Sequence, residues 1–395
     1  LKRLAILGST GSIGTSTLDV VARFPDRFEV VALAAGHNLE LAAAQAKRYR
    51  PRLLATADEE DARWLRDELP GIEVLAGEAG RVAVATHPDA STVVGALVGA
   101  LGLVPTWRAL ELGKDVLLAN KETLVVAGAL VMDLARRTGA RLLPIDSEHS
   151  ALHQALRSGA PEAVRRLILT ASGGPFRTFP AAELEHVTVE QALAHPTWRM
   201  GAKITVDSAT MMNKGLEIIE AHHLFGVEEA RIEVVVHPES RVHSLVEFVD
   251  GTLIGQLSVN DMRLPILYAL AYPERLPSPI GVLDLVEVGT LSFEPADEDR
   301  FPALRLARQA LRAGGGMPAV MNAANEVAVQ AFLARALRFV DIARVVEEVM
   351  AGSALGARPL GTLAEALAAD AEGRALAGRM VAKWQPPSPG CRRTV

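Results

Sequence analysis

The stretch AILGSTGSIGTSTLDVV, residues 5–21, sets an apolar run against Gly8, Gly11 and Gly14 and then resumes with a helix-like pattern. Such a strand–turn–helix lets the backbone approach a pyrophosphate closely, and the helix N-terminus supplies N–H donors and the positive end of its dipole. Thr10, Ser12 and Ile13 would offer amides and hydroxyls there. The spacing G-x-x-G-x-x-G is a variant of the usual dinucleotide fingerprint. A plain glycine-rich βα turn competes with that reading, but its place after the first strand favours a dinucleotide site.

Working outward, residues 1 to about 145 alternate apolar runs with helical segments. RLAILG, FEVVALAA, RLLAT, VAVAT, STVVGAL, DVLLA and RLLPI read as strands. This is the pattern of a doubly wound, Rossmann-like parallel sheet. The second strand runs out into LAAGHNLE, residues 33–40. An NAD site usually places a carboxylate at this strand end to take the ribose 2′-hydroxyl. Ala35, Gly36, His37 and Asn38 stand here instead, which favours NADP(H), with Glu40 nearby arguing the other way.

Farther on, RRLILTA, RIEVVVH, VHSLVEFV and TLIGQLSV read as strands, the last two joined by a short turn at Asp250 and Gly251. SGGPFRTFP, residues 172–180, holds too much Gly and Pro for regular structure and is read as a mobile loop. The expected organisation is α/β overall: an N-terminal Rossmann-like cofactor domain over 1–146, a central α+β catalytic domain over 147–284, a linker over 285–300 and a C-terminal helical bundle over 301–384. A tail over 385–395 is expected to be disordered.

The composition narrows the function class. A net charge of −6 gives no bulk attraction to nucleic acid or an anionic membrane, so an anionic ligand needs local positive charge. The single cysteine, Cys391, excludes an internal disulfide and a thiolate metal site, and fits a reducing compartment. No apolar run is long enough to span a bilayer. The expectation is a cytoplasmic protein whose N-terminus is a strand rather than a signal peptide.

Two constellations carry candidate chemistry. In IDSEHSA, residues 145–151, Asp146 and Glu148 follow an apolar run and would point the same way in extended chain. Ser147 and Glu148 read equally well as the N-terminus of the next helix. In HPTWRMGAKITVDSATMMNKGLEIIEA, residues 195–221, Asn213, Lys214 and Glu217 fall near one helical face. That set is either a surface Lys–Glu pair or part of a site in which Ser208, Asn213 and Lys214 hold a phosphate. Carboxylates working with water and substrate oxygens suit Mg²⁺ or Mn²⁺. Lys121, in LLANKETLV, follows a strand and faces the same carboxyl edge, where Asn120, Lys121 and Glu122 could cap a helix or reach a nicotinamide. His195 and Trp198 read as structural or catalytic, His222 and His223 as packing or surface residues.

Taken together, these motifs with ASGGPFR and MNAANEVAV resemble the 1-deoxy-D-xylulose 5-phosphate reductoisomerase family, in order and over nearly the whole chain. The resemblance implies rearrangement of a linear phosphorylated ketose to a branched aldehyde, reduction of that aldehyde by NADPH, and a divalent cation, Mg²⁺ or Mn²⁺ with Co²⁺ as a further choice. It implies metal ligands at Asp146, Glu148 and Glu217. Substrate contacts are implied at Lys121, Ser147, Glu148, Ser172, His195, Trp198, Met200, Ser208, Asn213, Lys214 and Glu217. Cofactor contacts are implied at Thr10, Gly11, Ser12, Ile13, Gly36, His37, Asn38, Asn120, Glu122 and Gly201, and the assembly as a homodimer. Position 37, commonly basic in the family, is histidine here, which bears on recognition of the 2′-phosphate.

Two rival classes fit the residues less well. A semialdehyde dehydrogenase needs a mid-chain cysteine nucleophile, and Cys391 is the sole cysteine. A non-catalytic cofactor-binding sensor has no use for three oxygen ligands beside a phosphate pocket.

Overall fold

The structure is a computed structural model that describes residues 1–198 and 200–384. The tail expected over 385–395, with Cys391, lies outside the described residues. In chain order the first half runs β1 (Lys2–Leu7), α1 (Ser12–Arg23), β2 (Phe28–Ala34), α2 (Leu39–Tyr49), β3 (Leu53–Thr56), α3 (Glu59–Glu68), β4 (Glu73–Ala76), α4 (Gly77–Thr86), β5 (Thr92–Gly95), α5 (Leu103–Glu111), β6 (Asp115–Leu118), α6 (Glu122–Thr138), β7 (Leu142–Pro144) and α7 (Ser147–Ala155). Then follow β8 (Val164–Ala171), α8 (Val189–Leu193), α9 (Ala202–Ala209), α10 (Met212–Phe225), β9 (Ile232–Val236), β10 (Val242–Phe248), β11 (Leu253–Leu257), α11 (Arg263–Ala271), α12 (Leu285–Val288) and β12 (Glu294–Pro295). Four helices close the chain: α13 (Ala303–Ala313), α14 (Met317–Leu333), α15 (Phe339–Gly352) and α16 (Leu363–Trp384). Among the described residues no helix is long and apolar enough to cross a membrane.

The chain divides into two compact units that do not follow chain order. The first comprises 1–124, 128–170 and 240–291; the second comprises 125–127, 171–239 and the residues from 292 on.

In the first unit a seven-stranded parallel sheet runs β4-β3-β2-β1-β5-β6-β7. Its central strands are apolar on both faces, as a sheet covered by helices on each side requires. In β1 and β2, Leu4, Ile6 and Leu33 are wholly buried, and Leu18 of α1 and Ile266 and Leu270 of α11 belong to the same core. Each such side chain contributes roughly 1.5–3 kcal/mol on burial. The strand order reverses direction between β1 and β5, so their carboxyl ends flank the crevice where ligands of open α/β sheets bind. The expected hairpin is present: β10 pairs antiparallel with β11 and with β8, and Asp250 Oδ1 accepts from the Thr252 amide across the turn.

One expected strand is a helix. VAVAT, residues 82–86, ends α4, and the fourth strand is Glu73–Ala76 before it. Gly80 and Val84, four residues apart, share the buried face of α4, whereas β4 is a short edge strand with weak apolar contrast. The short apolar run could not by itself distinguish the two.

The second unit holds the paired strands β9 and β12 and the C-terminal helices. Helix α13 buries Leu304, Leu306, Ala307 and Ala310 while its arginines lie on other faces, the spacing of a bundle helix. Gly215 of α10 lets that helix pack tightly on α13, since a Cβ there would come within 2.9 Å of the Ala307 Cβ.

Candidate active site

The glycine loop is built by close contact. Gly8 has φ +86°, and a Cβ on it would lie 2.4 Å from the Ala96 carbonyl oxygen at the end of β5. A Cβ on Gly14 would lie 2.2 Å from the Gly8 oxygen. Gly11 caps α1 with no side-chain hydrogen bond, leaving the first amides of the helix open to an anion. Thr10 Oγ1 accepts from the Gly36 amide at 3.2 Å, tying the glycine turn to the end of β2. Asn38 accepts from the Leu41 amide and caps α2. His37 is largely exposed, and its Nδ1 lies 2.9 Å from Asp61 Oδ2 on α3. The sequence reading missed this aspartate partner because it lies 24 residues on, in another helix.

Asn120 and Glu122 sit buried at the end of β6. Asn120 Nδ2 donates to the Gly99 carbonyl at 2.9 Å and to Glu122 Oε2 at 2.7 Å, and its Oδ1 accepts from Thr123 Oγ1. Asn120 therefore fixes the loop after β5 while shaping the start of α6.

Lys121 is buried, and its Nζ lies 2.8 Å from Asp146 Oδ2. Burial opposes ionisation of Asp146, but the Lys121 charge, helped by His149, outweighs it and holds the carboxyl well below the usual carboxylate range. His149, one turn along α7 and wholly buried, brings Nδ1 to 3.4 Å from the same oxygen. Asp146 and Glu148 do not share an extended segment as expected. The chain turns helical at Ser147, so Glu148 stands in the first turn of α7 while Asp146 precedes it. Ser147 Oγ donates to Glu148 Oε2 at 2.5 Å and makes no helix cap.

The second unit gathers two further sets. On α10, Glu217 is fully buried; Lys214 Nζ donates to its Oε2 at 2.5 Å and Asn213 Nδ2 to its Oε1 at 2.7 Å. The surface-pair reading of this lysine is therefore excluded. A carboxylate this deep is tolerated because each oxygen meets a donor and the charge is matched.

The other set joins three segments through one imidazole. His195 Nδ1 accepts the Thr197 amide at 3.2 Å and the Trp198 amide at 3.0 Å. Nε2 therefore carries the proton and faces Ser172 Oγ at 3.0 Å and Ser208 Oγ at 3.1 Å. Ser172 Oγ also accepts the Gly174 amide, and Gly174, at φ +67°, rests on the Ser208 carbonyl, which a Cβ would meet at 2.8 Å. Met200 and Gly201 follow directly, Gly201 capping α9. Gly201 thus belongs to the second unit, and the other expected cofactor residues to the first.

Burial lowers the pKa of His195 below that of a free histidine. The folded state therefore favours the neutral ring. The stability this contributes is present above about pH 6.5, the free value, and is lost as pH falls toward the lowered one. Protonation also removes the acceptor at Nδ1. We expect the protection of the Thr197 and Trp198 amides, taken relative to their intrinsic exchange at each pH, to fall on acidification below the free histidine range, and His195→Gln to remove that fall. Exchange that keeps the same acid response in the variant would remove the histidine from this role.

In the first unit Asp146 and Glu148 are carboxylate oxygen donors with Lys121 beside Asp146, and in the second unit Glu217 is one with Lys214 beside it. Carboxylate oxygens of this kind are the donors that Mg²⁺ or Mn²⁺ takes.

A doubly wound sheet with a glycine loop at its switch point, together with carboxylate and lysine clusters, defines a dinucleotide-dependent oxidoreductase of the α/β class. The match to family profiles is more specific: 1-deoxy-D-xylulose 5-phosphate reductoisomerase over residues 4–128, its C-terminal domain over 142–225, and a DXP reductoisomerase C-terminal domain over 257–376. A 1-deoxy-D-xylulose 5-phosphate reductoisomerase of Anaeromyxobacter dehalogenans is 56% identical over 382 residues, covering 96% of this chain and 97% of its own. That of Chlorobaculum tepidum is 57% identical over 356 residues, covering 89% and 92%. A crystal structure of DOX-P reductoisomerase in complex with NADPH, fosmidomycin and magnesium superposes with a TM-score of 0.92 at 41% identity, covering 97% and 98%. The Zymomonas mobilis reductoisomerase in complex with NADPH gives 0.89 at 44% identity, covering 96% and 99%. The chain belongs to the 1-deoxy-D-xylulose 5-phosphate reductoisomerase family.

Proposed function

We infer that this chain converts 1-deoxy-D-xylulose 5-phosphate to 2-C-methyl-D-erythritol 4-phosphate in the non-mevalonate isoprenoid pathway, using NADPH and a divalent cation. The observation that carries this reading is membership of the family along almost the whole chain, which holds the motifs IDSEHSA and MMNKGLEIIEA.

The reaction divides into two stages. The ketose skeleton rearranges to an isomeric branched aldehyde, and the aldehyde carbon then takes hydride from NADPH while its oxygen gains a proton. Asp146, Glu148 and Glu217 are proposed as the oxygen ligands of Mg²⁺ or Mn²⁺, with Co²⁺ as a further choice. A cation held by them would supply Lewis acidity to the oxygens of the substrate. Lys121, held against Asp146, positions a substrate hydroxyl and stabilises developing negative charge. Ser147 contacts the ketose. Ser172, His195, Ser208, Asn213 and Lys214 take the phosphate end, and that remote binding holds Trp198 and Met200 over the substrate, excluding water. Thr10, Gly11, Ser12 and Ile13 cradle the NADPH pyrophosphate. Gly36, His37 and Asn38 meet the adenosine ribose and its 2′-phosphate, with Asn120, Glu122 and Gly201 toward the nicotinamide.

In this reading residues 1–146 form the cofactor domain, 147–284 the catalytic domain, 285–300 a linker and 301–384 a helical domain. The protein works in the cytoplasm as a homodimer. Leu253 and Leu257, exposed on one face of the outer strand β11, and the exposed Val282 and Val286 support association through an apolar surface.

The test is NADPH oxidation with 1-deoxy-D-xylulose 5-phosphate, with Mg²⁺ or Mn²⁺ and with a chelator. Turnover is expected only with the cation; a folded sample that shows none with either cation overturns the reading.

A further inference from the structure

The motif MNAANEVAV, residues 321–329, has no role in the chemistry above, yet it places polar groups deep in the C-terminal helices. Asn322 and Asn325 are wholly buried on α14. Asn325 Nδ2 donates to Asp207 Oδ1 at 2.8 Å. Asp207, buried on α9, meets Lys203 Nζ with its other oxygen, also at 2.8 Å. Asn325 Oδ1 is itself buried without a hydrogen-bond partner among the described residues, an arrangement costly for a residue whose task is only to fill a helix bundle. A buried ion pair is likewise weak evidence for stability, because desolvation offsets its attraction.

What distinguishes Asp207 is its neighbour. Ser208 follows it on α9, with its Oγ at the His195 imidazole and its carbonyl under Gly174. The eight-residue helix α9 is short, and its N-cap Gly201 makes no side-chain cap. Its rotation about its own axis is therefore set by what grips its side chains. The pair of Lys203 with Asp207 lies within α9 and cannot by itself fix that rotation; the Asn325 bond from α14 can.

We propose that Asn325 is a positioning residue for substrate binding. Its amide grips Asp207 and so holds α9 in the rotation that presents Ser208 to His195 and to the phosphate of the substrate. The C-terminal helices thereby take part in recognition of a phosphorylated ligand that they need not touch. This rests on the reading of Ser208 and His195 as phosphate-end contacts.

The experiment measures fosmidomycin binding by titration calorimetry in the presence of NADPH and Mg²⁺, alongside steady-state kinetics, NADPH affinity and unfolding temperature. Ser208→Ala is the control for the underlying reading: unchanged fosmidomycin affinity there removes Ser208 from the ligand and takes the proposal with it. With that control weakened as expected, Asn325→Leu should weaken fosmidomycin and raise KM by about tenfold, with kcat and NADPH affinity within about twofold. Asn325→Asp, which sets two carboxylates together, should be worse, and adding Asp207→Asn should recover most of the loss by restoring one donor and one acceptor. Fosmidomycin affinity that is unchanged in Asn325→Leu while the Ser208 control weakens overturns the proposal. So does a loss shared equally by NADPH, or an exchange pair that recovers nothing. Should Asn325→Leu fail to fold, the exchange pair carries the test.

Discussion

Glu217→Gln is expected to lower metal-dependent turnover by about 100-fold or more while leaving NADPH affinity unchanged. The substitution keeps the shape of the side chain and removes the charge that offsets Lys214 in a fully buried setting. A glutamine is a poor ligand for a hard divalent cation. It also leaves the Lys214 ammonium without its carboxylate, so some loss of stability should accompany the loss of activity. Mn²⁺ binding followed by electron paramagnetic resonance separates the two effects. The cation affinity should fall in protein that is still folded and still binds NADPH. Full Mn²⁺-dependent turnover in the variant would exclude Glu217 from the ligand set.

Gly14→Ala should weaken NADPH roughly 100-fold, equivalent to about 2.7 kcal/mol. The added methyl would sit 2.2 Å from the Gly8 oxygen and 2.5 Å from the Ser9 Cα, so the clash is with backbone and cannot be relieved by rotating a side chain. The loop must open, and with it the row of amides that would meet the pyrophosphate. Gly11→Ala is the informative comparison. Its methyl would be 3.4 Å from the Gly8 oxygen and its φ of −78° suits any residue, so the fold should keep its unfolding temperature. Equal NADPH affinity in Gly14→Ala and the parent protein would show that the loop geometry is not what holds the cofactor.

The parallel sheet was legible because β1, β2, β5 and β6 are buried on both faces and read as unbroken apolar runs. The strand β4 was not, being an edge strand with one buried residue in four. The helix α10 was legible from the spacing of Asn213, Lys214 and Glu217, but spacing alone could not tell a buried pair from a surface one; that depended on what covers them. The grip of Asn325 on Asp207 was out of reach for the same reason, joining positions 118 residues apart. The reading of Asp146 and Glu148 as an extended pair failed locally, because the chain begins α7 one residue sooner than an extended reading allows. Residue order alone left those carboxylates open between a helix start and a ligand pair; the resemblance is what pointed to ligands.

The imidazole of His195 ties residues 172, 197, 198 and 208 to one ring. This sets where the chain can change length during evolution. An insertion between 195 and 198 would carry an amide away from Nδ1 and unfasten the ring. The largely exposed 3₁₀ turn Ala181–His186 has no part in that fastening, and it can gain or lose residues without cost to the ring's partners. Variation in length between relatives should therefore collect on the approach to His195 and stop at it.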